Sequence, residues 1–435
     1  AYLKRETLTD ESLSFVGVIS AFAAMGVTAV LLPANMTIAF VWWLLIALVL
    51  LYTAKPGKIM AGGQSNRFVI LSSVVLYTLI MLGVVGIIFA GTRYSADMKF
   101  ANAMILDRKL TVDVSQRGTA AAPEEIDNLI RAIGDAINTD QRNDLYPRTL
   151  SQAINYKLSR MSASAKSEQE AIAALQALPQ QAIAAANRSV ALNPNDVRNH
   201  VNVARVYQSV LPFANDAEQL GVGSYTKAVE LDPTNPVARF DLARLYLDSA
   251  VLHKRRATAK DVTDEVKKSE EEKLKAALAE AEKYLDETLE LKPDFAPAYL
   301  HKATIMSERG NKEEALKLLD AALVVNARLA QLSSADEGLF YLTGLAYASL
   351  NEKDRASNAF RAAFTLRPNY QLALWNYSIL QAAKGNKDEA IRALEQILQY
   401  DPENKTVKDQ LEKIKSGAAD KPAEEHGHAA CGVVG

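Results

Sequence analysis

Residues 337–370, EGLFYLTGLAYASLNEKDRASNAFRAAFTLRPNY, decide the fold. Phe340, Gly344, Tyr347, Ala356, Phe360 and Pro368 fall at the spacing W-x2-L-G-x2-Y…A-x3-F…P, with Phe340 in place of Trp and only Thr343 off pattern. The spacing predicts two antiparallel helices. Pro368 stops the second, because proline cannot continue a helix interior. Gly344 and Ala356 are small where the two helices are expected to touch. Tyr347 and Phe360 are expected to fill the gap toward the next unit.

Working outward, the same signals recur. Prolines follow similar apolar endings at Pro194, Pro233, Pro293, Pro368 and Pro402, the last two 34 residues apart. His200, Ala204 and Tyr207 occupy first-helix positions of one unit, and Arg239, Leu242, Ala243 and Tyr246 those of the next. Tyr299, Ala303, Ala315, Leu319 and Ala322 make another; Ala390, Leu394 and Pro402 close the last complete one. Gly310-Asn311 and Gly385-Asn386 read as turns within units. A final helix at about 404–415 reads as a solvating cap.

This pattern resembles the tetratricopeptide repeat (TPR) family over about 194–415. The resemblance implies an all-α solenoid whose first helices line a groove for an extended or helical peptide. Asn202, Arg205, Asp241, Arg244, Lys302 and Asn376 are the candidate groove residues. Two departures stand out. Pro233 and Pro293 are 60 residues apart, 26 more than one period, and the excess is the charged stretch 252–275. A smaller insertion lies around 216–223. Both helices of 252–292 are expected to protrude from the array.

Upstream the chain changes character. Runs 15–32, 34–53 and 68–90 carry no charged residue. At 1.5 Å per residue each is long enough for a hydrocarbon core of about 30 Å, the first only just. The expected architecture is therefore three transmembrane helices in residues 1–92, then a helical linker of divergent repeats at 93–192. The TPR array follows at 193–415, with a disordered tail at 416–435. Lys4, Arg5, Lys55, Lys58 and Arg67 favour a cytoplasmic side for the segments that hold them, which sends the repeats to the extracytoplasmic side, while Arg93, Lys99, Arg108 and Lys109 after the last run count for the opposite orientation.

Several chemistries are excluded or unsupported. With Lys+Arg 49 against Asp+Glu 51, the net charge of −2 gives no electrostatic footprint for nucleic acid. The single cysteine, Cys431, leaves no internal disulfide. No Walker A, GxSxG, HExxH or paired CxxC motif occurs, so no catalytic residue, cofactor or metal site is expected. His426, His428 and Cys431 lie in the tail with nothing to fix a ligand geometry. His200 and His301 sit where packing or a groove position explains them.

A second resemblance lies in the linker. NDLYPRTLSQAINYKL at 143–158 (Leu145–Pro147 and Gln152–Leu158), with Asn193–Tyr207 and Ala228–Tyr246, resembles the C-terminal region of bacterial O-antigen ligase or polymerase-like membrane proteins. That family likeness implies a parent glycosyltransferase of the bacterial inner membrane. Such a parent moves a glycan from a polyprenyl-diphosphate carrier to an acceptor, with catalytic Arg and His residues in outward loops. No position here matches those loops, so none is carried over. Because residue 1 is Ala shortly before hydrophobic sequence, the expectation is an N-terminally incomplete chain. The alternative is a complete membrane-tethered TPR adaptor without enzymatic activity.

Overall fold

The computed structural model describes residues 66–117, 123–164, 168–214, 216–260, 262–331 and 335–416. The expected spans 15–32 and 34–53, and the expected tail beyond Ser416, lie outside them. The described residues form fifteen helices and no strand: α1 Asn66–Arg117, α2 Pro123–Thr139, α3 Leu145–Ser164, α4 Glu168–Leu192, α5 Val197–Ser209, α6 Ala217–Leu231, α7 Pro236–Ala257, α8 Asp264–Leu291, α9 Ala296–Glu308, α10 Lys312–Gln331, α11 Glu337–Ser349, α12 Lys353–Leu366, α13 Gln371–Ala383, α14 Lys387–Tyr400 and α15 Lys405–Lys415. They divide into two compact units: Ala1–Val112 with Arg131–Gln141, and Asp113–Ile130 with Arg142–Gly435.

Helix α1 runs for 52 residues, and its length up to Val112 belongs to the first unit. Its C-terminal half buries Ala96, Phe100 and Ala103, and Lys99 Nζ donates to Thr139 Oγ1 at 2.8 Å. Its N-terminal half differs. From Val74 to Phe89 the large apolar side chains with a described environment face outward, Met81 and Ile88 each 61% exposed. Among the described residues no helix is long and apolar enough to cross a membrane. The expected third span, 68–90, forms the opening of this longer helix and is not shown to cross a membrane; the side chains of 66–73, 75–76 and 79–80 are not among those described.

The second unit is a stack of helix pairs, and local chemistry sets each pair's ends. Asp196, Asn235, Asp336 and Asn404 cap α5, α7, α11 and α15, each side chain accepting from a backbone N–H of the first turn. Between α9 and α10, α11 and α12, and α13 and α14 the chain turns through a left-handed residue: Gly310 (φ 76°), Asn351 (φ 63°) and Gly385 (φ 83°). The hydrogen bonds are the same each time. Asn311 N–H reaches Met306 O, Glu352 N–H reaches Tyr347 O and Asn386 N–H reaches Gln381 O, all at 2.9 Å. These close Schellman motifs, which satisfy the last carbonyls of the first helix.

The core follows the small residues. A Cβ on Gly344 would lie 2.6 Å from Phe360 Cε1, so the glycine lets the Phe360 ring sit directly on α11. Phe360, 1% exposed, thus fills the space inside its own pair rather than only the gap to the next. Tyr347 also departs from expectation. It is fully buried and its hydroxyl donates to Asp320 Oδ1 at 2.6 Å, so it reaches back to α10 of the preceding pair. Ala204, Ala243, Ala356 and Ala390 are each fully buried. Pro233, Pro368 and Pro402 are exposed, just past the ends of α6, α12 and α14. The extra residues between Pro233 and Pro293 lengthen α7 to 22 and α8 to 28 residues, against 13 and 15 in α5 and α6. Tyr246 of α7 stacks on Tyr284 of α8, with centroids 6.0 Å apart.

Candidate functional site

The site begins at the linker motif. Tyr146, fully buried, roots the first turn of α3. Arg148, 6% exposed, donates from Nη1 to Asp196 Oδ2 at 3.0 Å and to Asn199 Oδ1 at 2.8 Å. Asn199 Nδ2 in turn donates to Asp144 Oδ2 at 2.9 Å and to the Ser189 carbonyl at 3.0 Å. Hydrogen bonds from Arg198 hold the Asp196 carboxyl down at about 2 against the opposing effect of burial, with Arg148 adding to them. This buried network, satisfied on both sides, fixes α3 against the start of α5.

With α3 so placed, α3, α5 and α7 lie side by side as first helices and bound two adjoining clefts. The larger, about 420 Å³, is lined by Gln152, Asn155, Tyr156, Leu158, Ser159, Asn202, Arg205, Val206, Ser209 and Phe213. The second, about 290 Å³, shares Gln152, Asn202 and Arg205 with it and continues to Asn235, Val237 and Asp241. The lining is rich in amides and hydroxyls, and several are already engaged. Asn202 Nδ2 donates to Ser151 Oγ at 2.6 Å, and Ser209 Oγ to Asn155 Oδ1 at 2.5 Å.

The sequence-predicted groove residues therefore separate. Asn202, Arg205 and Asp241 line the clefts. Asn202 and Asp241 are 3% and 4% exposed, so they build the wall more than they offer free groups. Asp241 accepts from Arg205 Nη2 at 2.7 Å and lies 4.0 Å from Arg244 Nη1; both arginines remain about half exposed. Lys302 lines neither cleft: its ammonium is drawn to Asp286 of α8. Asn376 is remote on α13, where its amide donates to the Leu372 carbonyl at 2.9 Å and to Tyr341 Oη at 3.4 Å. Around it the first-helix face turns apolar, with Leu342, Leu372 and Ile379 exposed.

His200 and His301 make local structural contacts. His200 Nε2 lies 2.7 Å from the Pro194 carbonyl. His301 lies against Phe240, with centroids 5.3 Å apart, and burial followed by the charge of Arg244 pushes its ring down to about 4. Among the described residues no group of three His, Cys, Asp or Glu side chains is arranged to hold a metal ion. Sequence reasoning missed Gln152, Asn155 and Ser159. Their spacing of three and four residues on α3 was the available signal for a polar face beside α5. What the arrangement offers is an open channel of mainly apolar surface with a few hydrogen-bonding groups such as Gln152 and Arg205, a form that can take an extended chain.

Residues 224–270, 338–370 and 372–404 each match the tetratricopeptide repeat family. Over 135 residues the chain is 28% identical to human protein O-mannosyl-transferase TMTC1, covering 31% of this chain and 15% of that protein. Over 210 residues it is 25% identical to human protein O-mannosyl-transferase TMTC3, covering 48% and 20%. The chain thus spans a fifth or less of the length of these relatives. Among solved structures, YrrB, a TPR protein described as having an unusual peptide-binding site, is similar at 18% identity and a TM-score of 0.31, covering 52% of this chain and 97% of that one. A tetratricopeptide repeat protein from Parabacteroides merdae is similar at 13% identity and a TM-score of 0.37, covering 72% and 98%. Repeat spacing, paired helices and family matches agree: the chain carries an all-α tetratricopeptide-repeat solenoid.

Proposed function

We propose that the chain is a membrane-anchored TPR scaffold that captures an extended peptide segment of a partner protein in the channel formed by α3, α5 and α7. The observation that carries this reading is the pair of adjoining clefts joined by Gln152, Asn202 and Arg205. A photoreactive residue in place of exposed Gln152 tests it in native membranes. A discrete adduct there, absent from the same residue in place of Lys227 on the exposed side of α6, is the expected result; equal labelling at both positions sinks the proposal. Anchoring is supported by the outward-facing apolar side chains between Val74 and Phe89 and by the charge-free runs that precede them. We place the repeats on the extracytoplasmic side of a bacterial inner membrane. Protease added to sealed cells then removes the repeats, and their survival overturns that placement.

A second reading is favoured by the similarity to two O-mannosyl-transferases, joined to the linker's O-antigen ligase-like sequence. In it the chain is the C-terminal part of a larger membrane glycosyltransferase acting on a lipid-linked glycan. A native polypeptide well above the chain's 47.4 kDa favours this reading. A mass equal to it favours the stand-alone adaptor.

A further inference from the structure

Outside the clefts, His253 of α7 is 4% exposed and lies between carboxylates from two other helices. Its Nδ1 is 2.7 Å from Oε2 of Glu270 on α8, itself 6% exposed, and its Nε2 is 3.2 Å from Oε2 of Glu218 in the first turn of α6. An ionised carboxylate only accepts hydrogen bonds, and a neutral imidazole carries a single N–H. Both contacts are hydrogen bonds together only when the ring is an imidazolium. The surrounding charges agree with that state. Burial pushes the Glu270 carboxyl up, but hydrogen bonds from His253 and Lys273 outweigh it and hold it below its ordinary range. Lys273 Nζ lies 2.9 Å from the other Glu270 oxygen. Tyr246, near Glu218, is pushed up to about 12 by burial and by Tyr284, Glu280 and Glu218, so it stays neutral. Lys254, the neighbour of His253, is turned away to Glu308 of α9 at 2.5 Å.

The Glu218 end of this contact reaches the channel. Ala217 N–H donates to the Ala214 carbonyl at 3.2 Å, and Ala214 N–H to the Val210 carbonyl at 3.1 Å. That turn carries Phe213, which lines the larger cleft. We propose that His253, bridging Glu218 and Glu270, is a protonation-operated clamp that fixes the first turn of α6 and, through it, the Phe213 wall of the channel. Its consequence for a bound peptide rests on the functional reading above; the clamp itself does not. When this ring loses a proton, that proton passes to solvent and one nitrogen becomes an acceptor facing a carboxylate. Glu218 has the longer contact and the more exposed side chain, so it is the partner released. The clamp is closed with the imidazolium present and opens as pH rises. At the acid end it weakens again, as pH falls through the lowered Glu270 value and that carboxylate gains a proton.

Hydrogen exchange on the full chain, without added peptide and corrected for intrinsic rates, tests this directly. Between pH 6 and pH 9 the amides of 217–224 should lose about tenfold in protection, while those of α12 stay unchanged. Glu218→Gln should keep protection at both pH values, because its amide donates to the bare nitrogen of a neutral ring. His253→Gln should abolish the pH step. An unchanged wild-type protein overturns the clamp, and so does a full step retained in Glu218→Gln, which decides the matter even if His253→Gln does not fold. Since no peptide enters the measurement, failure here leaves the channel reading standing, and failure of that reading leaves this result intact.

Discussion

Gly344 and Phe360 form a contact with little tolerance. With a Cβ placed 2.6 Å from the ring, Gly344→Ala forces Phe360 or α11 to shift, at a cost of about 1–3 kcal/mol. Thermal denaturation measures it, and adding Phe360→Leu should recover part of the loss in a double-mutant cycle. Arg148 differs in kind. Removing it by Arg148→Ala takes the shared cation from half-buried Asp144 and Asp196, though Arg198 still pairs with Asp196, and leaves the Asn199 carbonyl oxygen without its donor. The change should cost about 1–3 kcal/mol. The depressed Asp196 carboxyl has its own signature. Because its folded value lies below the ordinary one, its contribution is present near neutrality and is lost as pH falls from about 4 toward about 2. Asp196→Asn should flatten that part of an acid-stability profile. If the profile is unchanged, the network around Arg148 does not stabilise the fold as described.

At the scale of elements, the α9–α10, α11–α12 and α13–α14 units each turn through one left-handed residue. Gly385, at φ 83°, takes that conformation without a Cβ. Gly385→Ala should cost about 1–2 kcal/mol, read as a shifted denaturant midpoint. Asn351 already fills the equivalent position in the neighbouring pair. The repeat was legible in sequence because steric constraints select residue types directly. Only glycine fits beneath Phe360, only residues that tolerate positive φ fit the turns, and proline cannot extend a helix. The lengthening of α7 and α8 was visible in the proline spacing. The direction of Tyr347 was not, since period alone names a face and not which neighbouring helix that face meets. Nor was the state of the polar groove candidates. Asp241 and Lys302 look alike in sequence whether solvated or paired, and Asn202 meets Ser151 across 51 positions. Gln152, Asn155 and Ser159 went unnoticed because α3 lies outside the recognisable repeats. His253 was overlooked because its partners, Glu218 and Glu270, sit 35 and 17 positions away.

For the whole molecule, the two proposals, anchoring through α1 and peptide capture by the repeats, are tested separately. If the exposed run of α1 lies in a bilayer, Met81→Lys with Ile88→Lys should release the protein into the soluble fraction. Each buried charge costs about 2.5–3.5 kcal/mol at mid-bilayer, and alkaline extraction reads the outcome. The repeats themselves should be unaffected, since the two substitutions fall in the other compact unit. The most direct test of the central claim is a selection of random extended peptides on the purified full chain, followed by affinity measurement on channel variants. Arg205→Ala and Phe213→Ala should each weaken the selected peptides at least tenfold without lowering the melting temperature by more than a few degrees, while Lys227→Glu on α6 leaves binding unchanged. Peptides that bind equally well to the channel variants, or a selection that yields none, would contradict the account.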